Sequence, residues 1–371
     1  GFEVAVDTNC PRPAPEGPGA WAGSPPDNRA GITADQAWAA LAAGDTPHGL
    51  TIGCSTGASG NRGLFVISEA ERYRWLGSIL AKTMADLLTR PQRVAVVLPR
   101  DTRLYHSARR LPWLDLRFFD VTEGPDRWRA DLEAFAPTVL LAPPRLLRHF
   151  AVSRFRLTPR RVFSAAETLD PPDRPVIEGY FGRPLDQIYM ATEGLFAATC
   201  RHGGLHLAED SVFFEFEPAG GGLVTPLVTA FRRETQIMAR YRMNDLLRLA
   251  DAPCPCGSPL LHVAEIVGRM DDCFHLPGQA LLTPDILRNA VLNASRAITD
   301  FRLIQLSPSE VQLILPPGLR EEDAQAAARA VEVLLSARGP ARLALIRAPL
   351  PLEPGRKLRR VECRLPAGDR A

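Results

Sequence analysis

Residues 138–164, with the sequence TVLLAPPRLLRHFAVSRFRLTPRRVFS, contain the pattern that decides the fold. The apolar run at 138–142 predicts a buried strand, and Arg161–Ser164 predicts a second one. Residues 145–152 between them have the apolar spacing of a helix. A strand, a helix and a strand in this order are typical of a unit whose two strands lie parallel in one sheet.

The preceding residues repeat this alternation. Residues 93–98 (RVAVVL) and 116–121 (LRFFDV) predict strands, and residues 126–135 predict a helix. Ser68 followed by Glu71 has the form of a capping box, which predicts a helix that begins there and runs to about residue 88. The residues therefore predict an α/β fold with a large N-terminal domain of mostly parallel sheets.

The pattern changes twice in the second half of the chain. After about Gly203, short apolar runs follow one another with turns but without helical spacing, which predicts an antiparallel, β-barrel-like section. After about Gly268, two helices and four strands predict a small α+β domain. The helices are expected at 283–294 and 321–337, and the first two strands at 301–306 and 311–315.

These changes divide the chain into three parts. Residues 1–30 are rich in Pro, Gly and Ala and have no period, so we expect a poorly ordered leader there. Residues 31–268 are the predicted large domain. Residues 269–371 are the predicted small domain, which is expected to be mobile.

Composition and charge exclude several classes of protein. The chain has 371 residues and a formal net charge of +2, which gives no general attraction to nucleic acid or to an anionic membrane. No apolar run approaches the roughly 20 residues that span a bilayer, and the first residues lack the architecture of a signal peptide. We therefore expect a soluble, cytoplasmic protein without nucleic-acid or membrane partners.

Lysine is rare in this chain. Of the 44 basic residues only Lys82 and Lys357 are lysine, and all others are arginine. Such a bias indicates that arginine is used wherever a generic positive charge is sufficient. The planar guanidinium of arginine cannot replace a compact ammonium group at a tight site. Lys357 is therefore a candidate functional residue, although a basic segment near a terminus is usually a solvated surface.

A glycine-rich stretch follows the apolar residues 50–52. Residues 53–63 have the sequence GCSTGASGNRG, with four glycines and three hydroxyl residues. Glycines let backbone N–H groups converge on an anion, and hydroxyl groups donate to phosphate oxygens. The stretch lacks the Gly-Lys-Ser/Thr of a Walker A loop and is not a dinucleotide fingerprint. Phosphate binding and a plain flexible loop are both consistent with this composition.

Four further segments carry polar residues that suit a nucleotide site. Residues 189–194 (YMATEG) combine a flat aromatic face, a phosphate donor and a hard oxygen ligand for Mg²⁺ directly after an expected strand. Residues 241–245 (YRMND) end in a carboxylate that fits a ribose diol, although it is also typical of a turn. Residues 268–272 (GRMDD) form an expected polar turn at the domain boundary. Residues 354–360 (PGRKLRR) contain Lys357.

In this order and spacing the five segments resemble the adenylate-forming superfamily. The resemblance extends from about residue 31 to the C-terminus. It is specific to the branch of phenylacetate–CoA ligases and coenzyme F390 synthetase-related proteins, since the segments at 55–63, 189–194, 239–249 and 268–272 match that branch together with CPCG at 254–257 and PGRKLRR. The resemblance implies a large N-terminal domain and a small C-terminal domain that closes over the site.

The resemblance also implies roles for individual residues. The residues that would hold the β- and γ-phosphates of ATP are Ser55, Thr56, Gly57, Ser59 and Gly60. Thr192 would contact the α-phosphate, Glu193 would ligate Mg²⁺, and Lys357 would bridge the attacking carboxylate and the α-phosphate. The superfamily often has Thr at the position of Ala58 and Lys at that of Gly63; here Asn61 and Arg62 would compensate.

Other roles concern the nucleoside and the hinge. Tyr189 would lie against the adenine, and Asp245 would accept hydrogen bonds from the ribose hydroxyls. Arg269 would lie near the phosphate–ribose edge. Asp271 would be the hinge about which the small domain turns. The turn at 164–167 (SAAE) resembles the segment that borders both the adenine and the acyl pocket.

The expected substrate is a small aromatic acid. Candidate walls of its pocket are Tyr105 and the small residues Ser164, Ala165 and Ala166, with Ala191 at the floor. Residues of this size fit a flat aromatic acid better than a long acyl chain, and Arg145 is a candidate partner for a polar substituent. The resemblance implies an ATP-dependent aryl-acid ligase that passes the acyl group to CoA.

Two alternatives remain open from the sequence. The adenylated acid, for example a phenazine-type acid, is passed to an amine or alcohol in antibiotic or pigment biosynthesis. A protein of another class, a non-catalytic relative, binds a nucleotide or small acid without turnover.

The cysteines suggest a metal site. Seven cysteines, an odd number, argue against a disulfide framework in a chain without a signal peptide. Some members of the branch bind structural zinc through a Cys, a His and a close Cys pair. The resemblance implies such a site at Cys200, His206, Cys254 and Cys256, with His202 as the alternate imidazole. Four reduced groups in a polar loop are the alternative.

Overall fold

The computed structural model describes residues 30–54, 64–98, 113–191, 194–277, 280–351 and 357–366. Several predictions lie outside these described residues. They concern nearly all of the leader, the phosphate loop at 55–63 with Ser55, Thr56, Gly57, Ser59 and Gly60, and the residues Tyr105, Thr192 and Glu193.

The described residues contain seven α-helices and twenty strands. The helices are α1 (Ala34–Ala43), α2 (Glu69–Thr83), α3 (Pro125–Phe135), α4 (Pro144–Val152), α5 (Asp173–Phe181), α6 (Pro284–Ala294) and α7 (Glu321–Ser336). The strands of the first half are β1 (Thr51–Cys54), β2 (Leu64–Ile67), β3 (Gln92–Leu98), β4 (Leu114–Asp120), β5 (Val139–Ala142), β6 (Arg161–Ser164), β7 (Leu185–Ala191), β8 (Gly194–Thr199) and β9 (Leu205–Leu207). The remaining strands are β10 (Val212–Gly220), β11 (Leu223–Ala230), β12 (Tyr241–Arg242), β13 (Asp245–Leu249), β14 (His262–Arg269), β15 (Phe274–Leu276), β16 (Ala280–Leu282), β17 (Arg302–Ser307), β18 (Glu310–Leu315), β19 (Arg342–Arg347) and β20 (Val361–Cys363).

The twelve strands from β3 to β14, between residues 92 and 269, form one sheet. Its order is β10-β11-β13-β14-β9-β8-β7-β6-β5-β3-β4, with β12 paired to β11. The strands from β4 to β7 are parallel neighbours, whereas β8 and the strands beyond it pair antiparallel. The predicted α/β fold is confirmed, and the antiparallel pairing begins at β8 (Gly194–Thr199), before the change expected at about Gly203.

Helices cover both faces of the parallel part of this sheet. On one face α3, α4 and α5 bury apolar residues such as Leu132, Leu147, Phe150 and Ile177 against the strands. On the other face α2 buries Leu76 among the side chains of the same strands. Each parallel strand is therefore covered on both sides, which explains the uninterrupted apolar runs that predicted it.

A second, four-stranded sheet lies near the C-terminus in the order β19-β18-β17-β20. Helices α6 and α7 pack on it, and the apolar cluster between them contains residues from Phe274 to Leu365. Both helices and the first two strands lie within a residue or two of their expected positions. This sheet has an apolar core of its own, and the division of the chain near residue 268 stays a prediction.

Helix α2 is shorter than expected. It ends at Thr83, whereas the sequence pattern predicted an end near residue 88. The Arg161 guanidinium donates a hydrogen bond to the Thr83 carbonyl, which satisfies a carbonyl of the last turn. Met84 and Leu87 then bury their side chains in the core along a different path. The expectation was wrong because these apolar residues are consistent with a buried turn as well as with a helix.

No helix in the described ranges combines the length and apolarity needed to cross a bilayer.

Residues 55–63 connect strands β1 and β2 in the chain. Two buried polar residues, Gln236 and Glu71, hold this hairpin in place. The backbone N–H of Val66 donates to Gln236 Oε1 at 3.0 Å. Glu71 completes the predicted capping box with Ser68. Its carboxylate also accepts hydrogen bonds from the N–H groups of Glu234 and Thr235, at 2.7 and 3.0 Å. The base of the loop is thus fixed to the segment at 234–236.

Replacing Glu71 tests this attachment. Burial alone would raise the pKa of Glu71, but hydrogen bonds from Thr235 and Ser68 outweigh it and lower the pKa. Glu71→Ala should reduce the free energy of unfolding by about 2–3 kcal/mol at pH 7, because several hydrogen bonds to a carboxylate are lost. Urea unfolding followed by circular dichroism measures this loss.

The pH dependence has a defined sign. Because the pKa of folded Glu71 is lowered, its stabilisation is present above the unfolded value of 4.5 and is lost as the pH falls through the folded pKa. The difference between the two proteins should therefore shrink in acid. Glu69→Ala, which removes an exposed carboxylate from the same turn, is the matched control and should cost well under 1 kcal/mol. Equal losses in both variants would contradict the attachment.

Candidate active site

The candidate site lies at the carboxyl ends of the parallel strands. Ser164 is the last residue of β6 and pairs with Gln187 of β7, whose last residue is Ala191. Ser164 and Ala165 are buried, and Ala166 and Ala191 are partly buried. Loops beyond the carboxyl ends of such strands are the usual ligand-binding edge of an open α/β sheet. Ser164, Ala165 and Ala166 follow one another at the end of β6, and Ala191 lies four residues beyond Gln187, the partner of Ser164; a pocket shared by these residues stays a prediction.

The turn after β6 is strained. Ala166 has a φ of +69°, in the left-handed region that costs a residue with a Cβ about 1 kcal/mol. This conformation turns the chain so that Glu167, only 3% exposed, lies beneath the edge. Strain of this kind is typical of functional sites, where the surrounding structure holds it in place.

Three of the predicted nucleoside residues lie together. The Tyr189 hydroxyl donates a hydrogen bond of 2.6 Å to Asp245 Oδ2. Asp245 begins β13 and lies opposite Arg269, the last residue of β14. Tyr189 is 56 residues from Asp245 and 80 residues from Arg269 in the chain, yet the three residues meet at one edge of the sheet.

Two local expectations at this edge were wrong. Tyr189 lies inside β7 rather than after a strand, because β7 continues to Ala191 and pairs with β8. Its ring is 8% exposed and packs against Phe196, with centroids 5.3 Å apart. Stacking on adenine remains a prediction. Asp245 belongs to a strand, whereas the segment taken alone favoured a turn at this position.

The expected hinge residue is held by a side chain that sequence reasoning missed. Asn244 Nδ2 donates to Asp271 Oδ2 at 2.5 Å, and Asn244 Oδ1 accepts from the Asp271 N–H at 3.2 Å. The neighbouring Asp272 is buried and forms an ion pair with Arg359. The junction of the two domains is therefore connected to β13 on one side and to the segment of Lys357 on the other. The asparagine inside the YRMND segment was the available signal.

Lys357 lies beside the turn that follows β6. The backbone N–H of the next residue, Leu358, donates a hydrogen bond to the Glu167 carboxylate, and the Lys357 charge acts on the same carboxylate. Arg145 completes the group, with its Nε 2.9 Å from Glu167 Oε1. The expectation that Arg145 meets a substrate substituent was wrong, because its charge is directed to Glu167.

Burial dominates the titration of Glu167. It raises the pKa of this carboxyl to about 7, although Arg145, Lys357 and Arg360 all lower it. A buried carboxylate is costly even among cations, since desolvation competes with the charge attraction. Glu167 was quoted in the SAAE turn without a role of its own, and only its three-dimensional surroundings show that it contacts the Lys357 segment.

A second group of polar residues lies away from this edge. The ligand atoms of Cys200, His206, Cys254 and Cys256 all lie within 4.8 Å of one another. The two closest described separations are 3.3 Å between Cys256 Sγ and His206 Nε2, and 3.7 Å between Cys200 Sγ and Cys254 Sγ. The structure therefore brings together the four residues that the resemblance implied, and His202 is not among them.

The surroundings of this group fit a tetrahedral metal ion. His206 Nδ1 lies 2.9 Å from the Leu260 carbonyl, so its Nε2 is the nitrogen that faces the thiols. A Cβ at Gly204 would lie 2.7 Å from Cys254 Sγ, which means that only glycine leaves room for the sulfur. His262 stacks on His206 with ring centroids 5.4 Å apart, a neighbour that the sequence analysis did not identify.

Comparison with known proteins supports the fold. No protein-family model matches the sequence. The CapK protein of Staphylococcus aureus is 25% identical over 165 residues, which are 43% of this chain and 37% of CapK. The matched region thus spans little more than a third of that relative.

Solved structures align over most of the chain. A 2-hydroxyisobutyryl-CoA ligase in the postadenylation state with 2-HIB-AMP is 20% identical with a TM-score of 0.65, covering 85% of this chain and 73% of the ligase. The amide bond synthetase McbA of Marinactinospora thermotolerans is 14% identical with a TM-score of 0.58, covering 84% of this chain and 68% of McbA. The anthranilate CoA ligase AuaEII in complex with anthranoyl-AMP is 13% identical with a TM-score of 0.55, covering 82% of this chain and 64% of AuaEII.

The fold is that of a class of ligases crystallised with acyl adenylates. This chain has the fold of these ligases, which is the fold that its resemblance to adenylate-forming enzymes implied.

The raised pKa of Glu167 generates a stability prediction. Between pH 4.5 and about 7 the folded protein retains a proton on this carboxyl that the unfolded chain releases, so the free energy of unfolding falls as the pH rises. Glu167→Gln lacks this penalty. From pH 5 to pH 8 its stability relative to the parent should therefore increase, by roughly 3 kcal/mol for the full shift.

Urea unfolding at several pH values measures this change. Glu322→Gln removes an exposed surface carboxylate and is the control; its stability relative to the parent should stay constant over the same range. A constant difference for Glu167→Gln as well would show that Glu167 is not protonated in the folded protein.

Proposed function

We propose that the protein activates an aromatic carboxylic acid with ATP, forming an acyl-adenylate and releasing pyrophosphate, and then transfers the acyl group to CoA. The observation that carries this proposal is the position of Lys357 beside the turn at 164–167, at the carboxyl-end edge of the parallel strands, where its charge acts on the Glu167 carboxylate. An ammonium group at that edge suits a reaction in which two anions approach each other.

The chemistry explains why these residues are needed. Attack of a carboxylate on the α-phosphate of ATP brings negative charge towards negative charge. The Lys357 ammonium offsets this repulsion, most strongly when charge accumulates in the transition state. Thr192 is proposed to donate to the α-phosphate, and Glu193 is proposed to hold the Mg²⁺ that neutralises the phosphates. The loop residues Ser55, Thr56, Gly57, Ser59 and Gly60 are proposed to bind the departing pyrophosphate.

The nucleoside half of ATP fits the second group of residues. The Asp245 carboxylate is proposed to accept hydrogen bonds from the ribose hydroxyls. The hydrogen bond from the Tyr189 hydroxyl fixes the orientation of this carboxylate. Arg269, opposite Asp245 in the sheet, is proposed to face the phosphate–ribose edge. Asp271, held by Asn244, is proposed to be the hinge of the small domain.

The size of the pocket residues supports an aromatic acid. The small side chains of Ala165, Ala166 and Ala191 are proposed to line a pocket for a flat ring, and Tyr105 is proposed to supply an aromatic wall. The complex of AuaEII with anthranoyl-AMP is an example of this fold with such a ligand. The 2-hydroxyisobutyryl-CoA ligase has been crystallised with its adenylate and CoA, which supports CoA as the acceptor.

A second candidate function retains adenylation and changes the acceptor. McbA, an amide bond synthetase, has the same fold. An amine or alcohol, in antibiotic or pigment biosynthesis, is therefore the alternative acceptor for an aryl acid such as a phenazine-type acid. A non-catalytic relative that only binds a nucleotide or small acid is the third candidate.

Acid-dependent exchange of labelled pyrophosphate into ATP tests adenylation. With a panel of aromatic acids, the parent protein should show exchange with at least one acid, and Lys357→Ala should reduce that rate by at least about 100-fold while ATP binding persists. Lys82→Ala is the matched control because Lys82 forms an ion pair with Asp210 and should retain full exchange.

The outcomes separate the three candidates. Exchange followed by a CoA thioester, detected by mass spectrometry, supports the leading function. Exchange without a thioester favours an amine or alcohol acceptor. Absence of exchange with every acid favours the binding protein, and an unaffected rate in Lys357→Ala would overturn the role of the lysine.

We also propose that Cys200, His206, Cys254 and Cys256 hold a structural zinc ion. Three thiolates and one imidazole are a common zinc ligand set, and the ion would connect the β8–β9 hairpin to the loop between β13 and β14. Four protein ligands fill the tetrahedral coordination of zinc, which is typical of a structural rather than a catalytic site.

Substitution of Gly204 tests the metal proposal without touching a ligand. The parent, purified without added metal, should contain about one zinc per chain by elemental analysis. Gly204→Ala should lose most of it, because the added Cβ displaces Cys254 Sγ. Gly318→Ala is the control, since its Cβ meets nothing within 4 Å. Zinc-free parent protein would contradict the proposal.

A further inference from the structure

Arg360 is buried between the two proposed domains. Its side chain is 3% exposed, and all three guanidinium nitrogens are used. Nη1 contacts Asp170 and lies 2.8 Å from Asp173 Oδ2, Nη2 lies 3.1 Å from Asp173 Oδ1, and Nε lies 3.0 Å from Asp300 Oδ1. The residue was quoted in the PGRKLRR segment but received no role.

The partners of Arg360 come from both sides of the junction. Asp170 and Asp173 lie between β6 and the first turn of α5, in the proposed large domain. Asp300 precedes β17 in the proposed small domain. The contacts to Asp170 and Asp173 therefore cross the junction, whereas the contact to Asp300 does not.

We propose that Arg360 is a positioning residue that holds Lys357 at the candidate active site. The inference rests on the proposed function for the meaning of that position, and on the geometry alone for the position itself. Its basis is that segment 357–360 contacts segment 167–170 at two points.

On one segment the attachments, at Leu358 and Arg360, lie two residues apart, and on the other segment, at Glu167 and Asp170, they lie three residues apart. At one end the Leu358 N–H donates to Glu167, and at the other end Arg360 contacts Asp170. Two or three residues of chain span at most roughly 7–10 Å, so the segment between the two contacts has little freedom. Lys357 directly precedes the attached residue Leu358, so its backbone is fixed on the C-terminal side, which lowers the entropy lost when its ammonium meets a substrate.

Arginine is the residue type that this position requires. A guanidinium presents a planar fork that binds Asp173 with two hydrogen bonds and still reaches two other carboxylates. The adjacent Arg359 points to the other side of the chain and pairs with Asp272 at the hinge. Successive side chains of an extended segment alternate in this way.

The arrangement also defines what must break when the small domain turns. Movement of Lys357 away from the turn at 164–167 separates Arg360 from Asp170 and Asp173. Asp300 travels with Arg360 and keeps one carboxylate on the guanidinium, which reduces the cost of that separation.

The scarcity of lysine permits a test that needs no substrate. Acetylation with an N-hydroxysuccinimide ester, followed by mass spectrometry of the peptides, reports the reactivity of Lys357 with Lys82 as an internal reference. Arg360→Gln should raise the labelling rate of Lys357 on the order of tenfold and leave Lys82 unchanged. Arg364→Gln is the matched control. It removes an arginine that lies four residues after Arg360 and pairs with Glu362, and it should change neither rate.

A second variant guards against a general loss of structure. Arg360→Gln leaves Asp170 and Asp173 unbalanced, so Arg360→Gln combined with Asp173→Asn should restore the thermal midpoint while Lys357 remains reactive. Arg360→Lys, which keeps the charge but loses the fork, should give an intermediate labelling rate. An unchanged Lys357 rate in both folded glutamine variants would overturn the proposal.

Pyrophosphate exchange separates this inference from the proposed function. If the parent is active, Arg360→Gln should lower the exchange rate on the order of tenfold at saturating ATP, and an unchanged rate would overturn the positioning role. If the parent shows no exchange but Lys357 still becomes reactive in Arg360→Gln, the proposed function fails and the positioning of Lys357 stands.

Discussion

Pairing of buried charge at the domain junction determines where Lys357 lies. Asp173 is fully buried, and burial raises its pKa, although Arg360 and Arg148 lower it. Asp170 receives both Arg360 and Arg288, and Arg288 also lies 2.7 Å from Glu265 Oε1. Removal of one member of such a group leaves an uncompensated buried charge, which typically costs 3–5 kcal/mol. These ion pairs therefore connect the two proposed domains, and they include Arg360 of the Lys357 segment.

The parallel half of the fold was predictable because its signals are local. Strands β3, β5 and β6 lie buried under helices on both faces, so their apolar runs are continuous and bounded by turn residues. The Ser68–Glu71 capping box fixed one helix start to the residue. The end of α2 was missed because the group that ends it, Arg161, lies 78 residues away in the chain.

The site was predictable only where the resemblance supplied motifs. Tyr189, Asp245 and Arg269 meet as the order of segments implied, and the four proposed zinc ligands lie together. Asn244 and Arg360 were missed although both lie inside quoted segments. Their partners are 27 and more than 180 residues away, and no local pattern distinguishes them from solvated polar residues.

The same limit applies to the argument from rare lysines. Both lysines met the criterion that arginine had not replaced them, yet Lys82 forms a 2.9 Å ion pair with an aspartate that is half-exposed. Scarcity therefore selected two candidates, and the folded arrangement distinguishes them. Lys357 lies against the buried Glu167 carboxylate, and three residues after it Arg360 is held by three carboxylates. Lys82 forms its ion pair with a surface aspartate, Asp210. A compact ammonium beside a rigid guanidinium anchor divides two tasks between two cations: the fork of Arg360 supplies the fixed geometry, and the small Lys357 head group remains able to follow a moving phosphate.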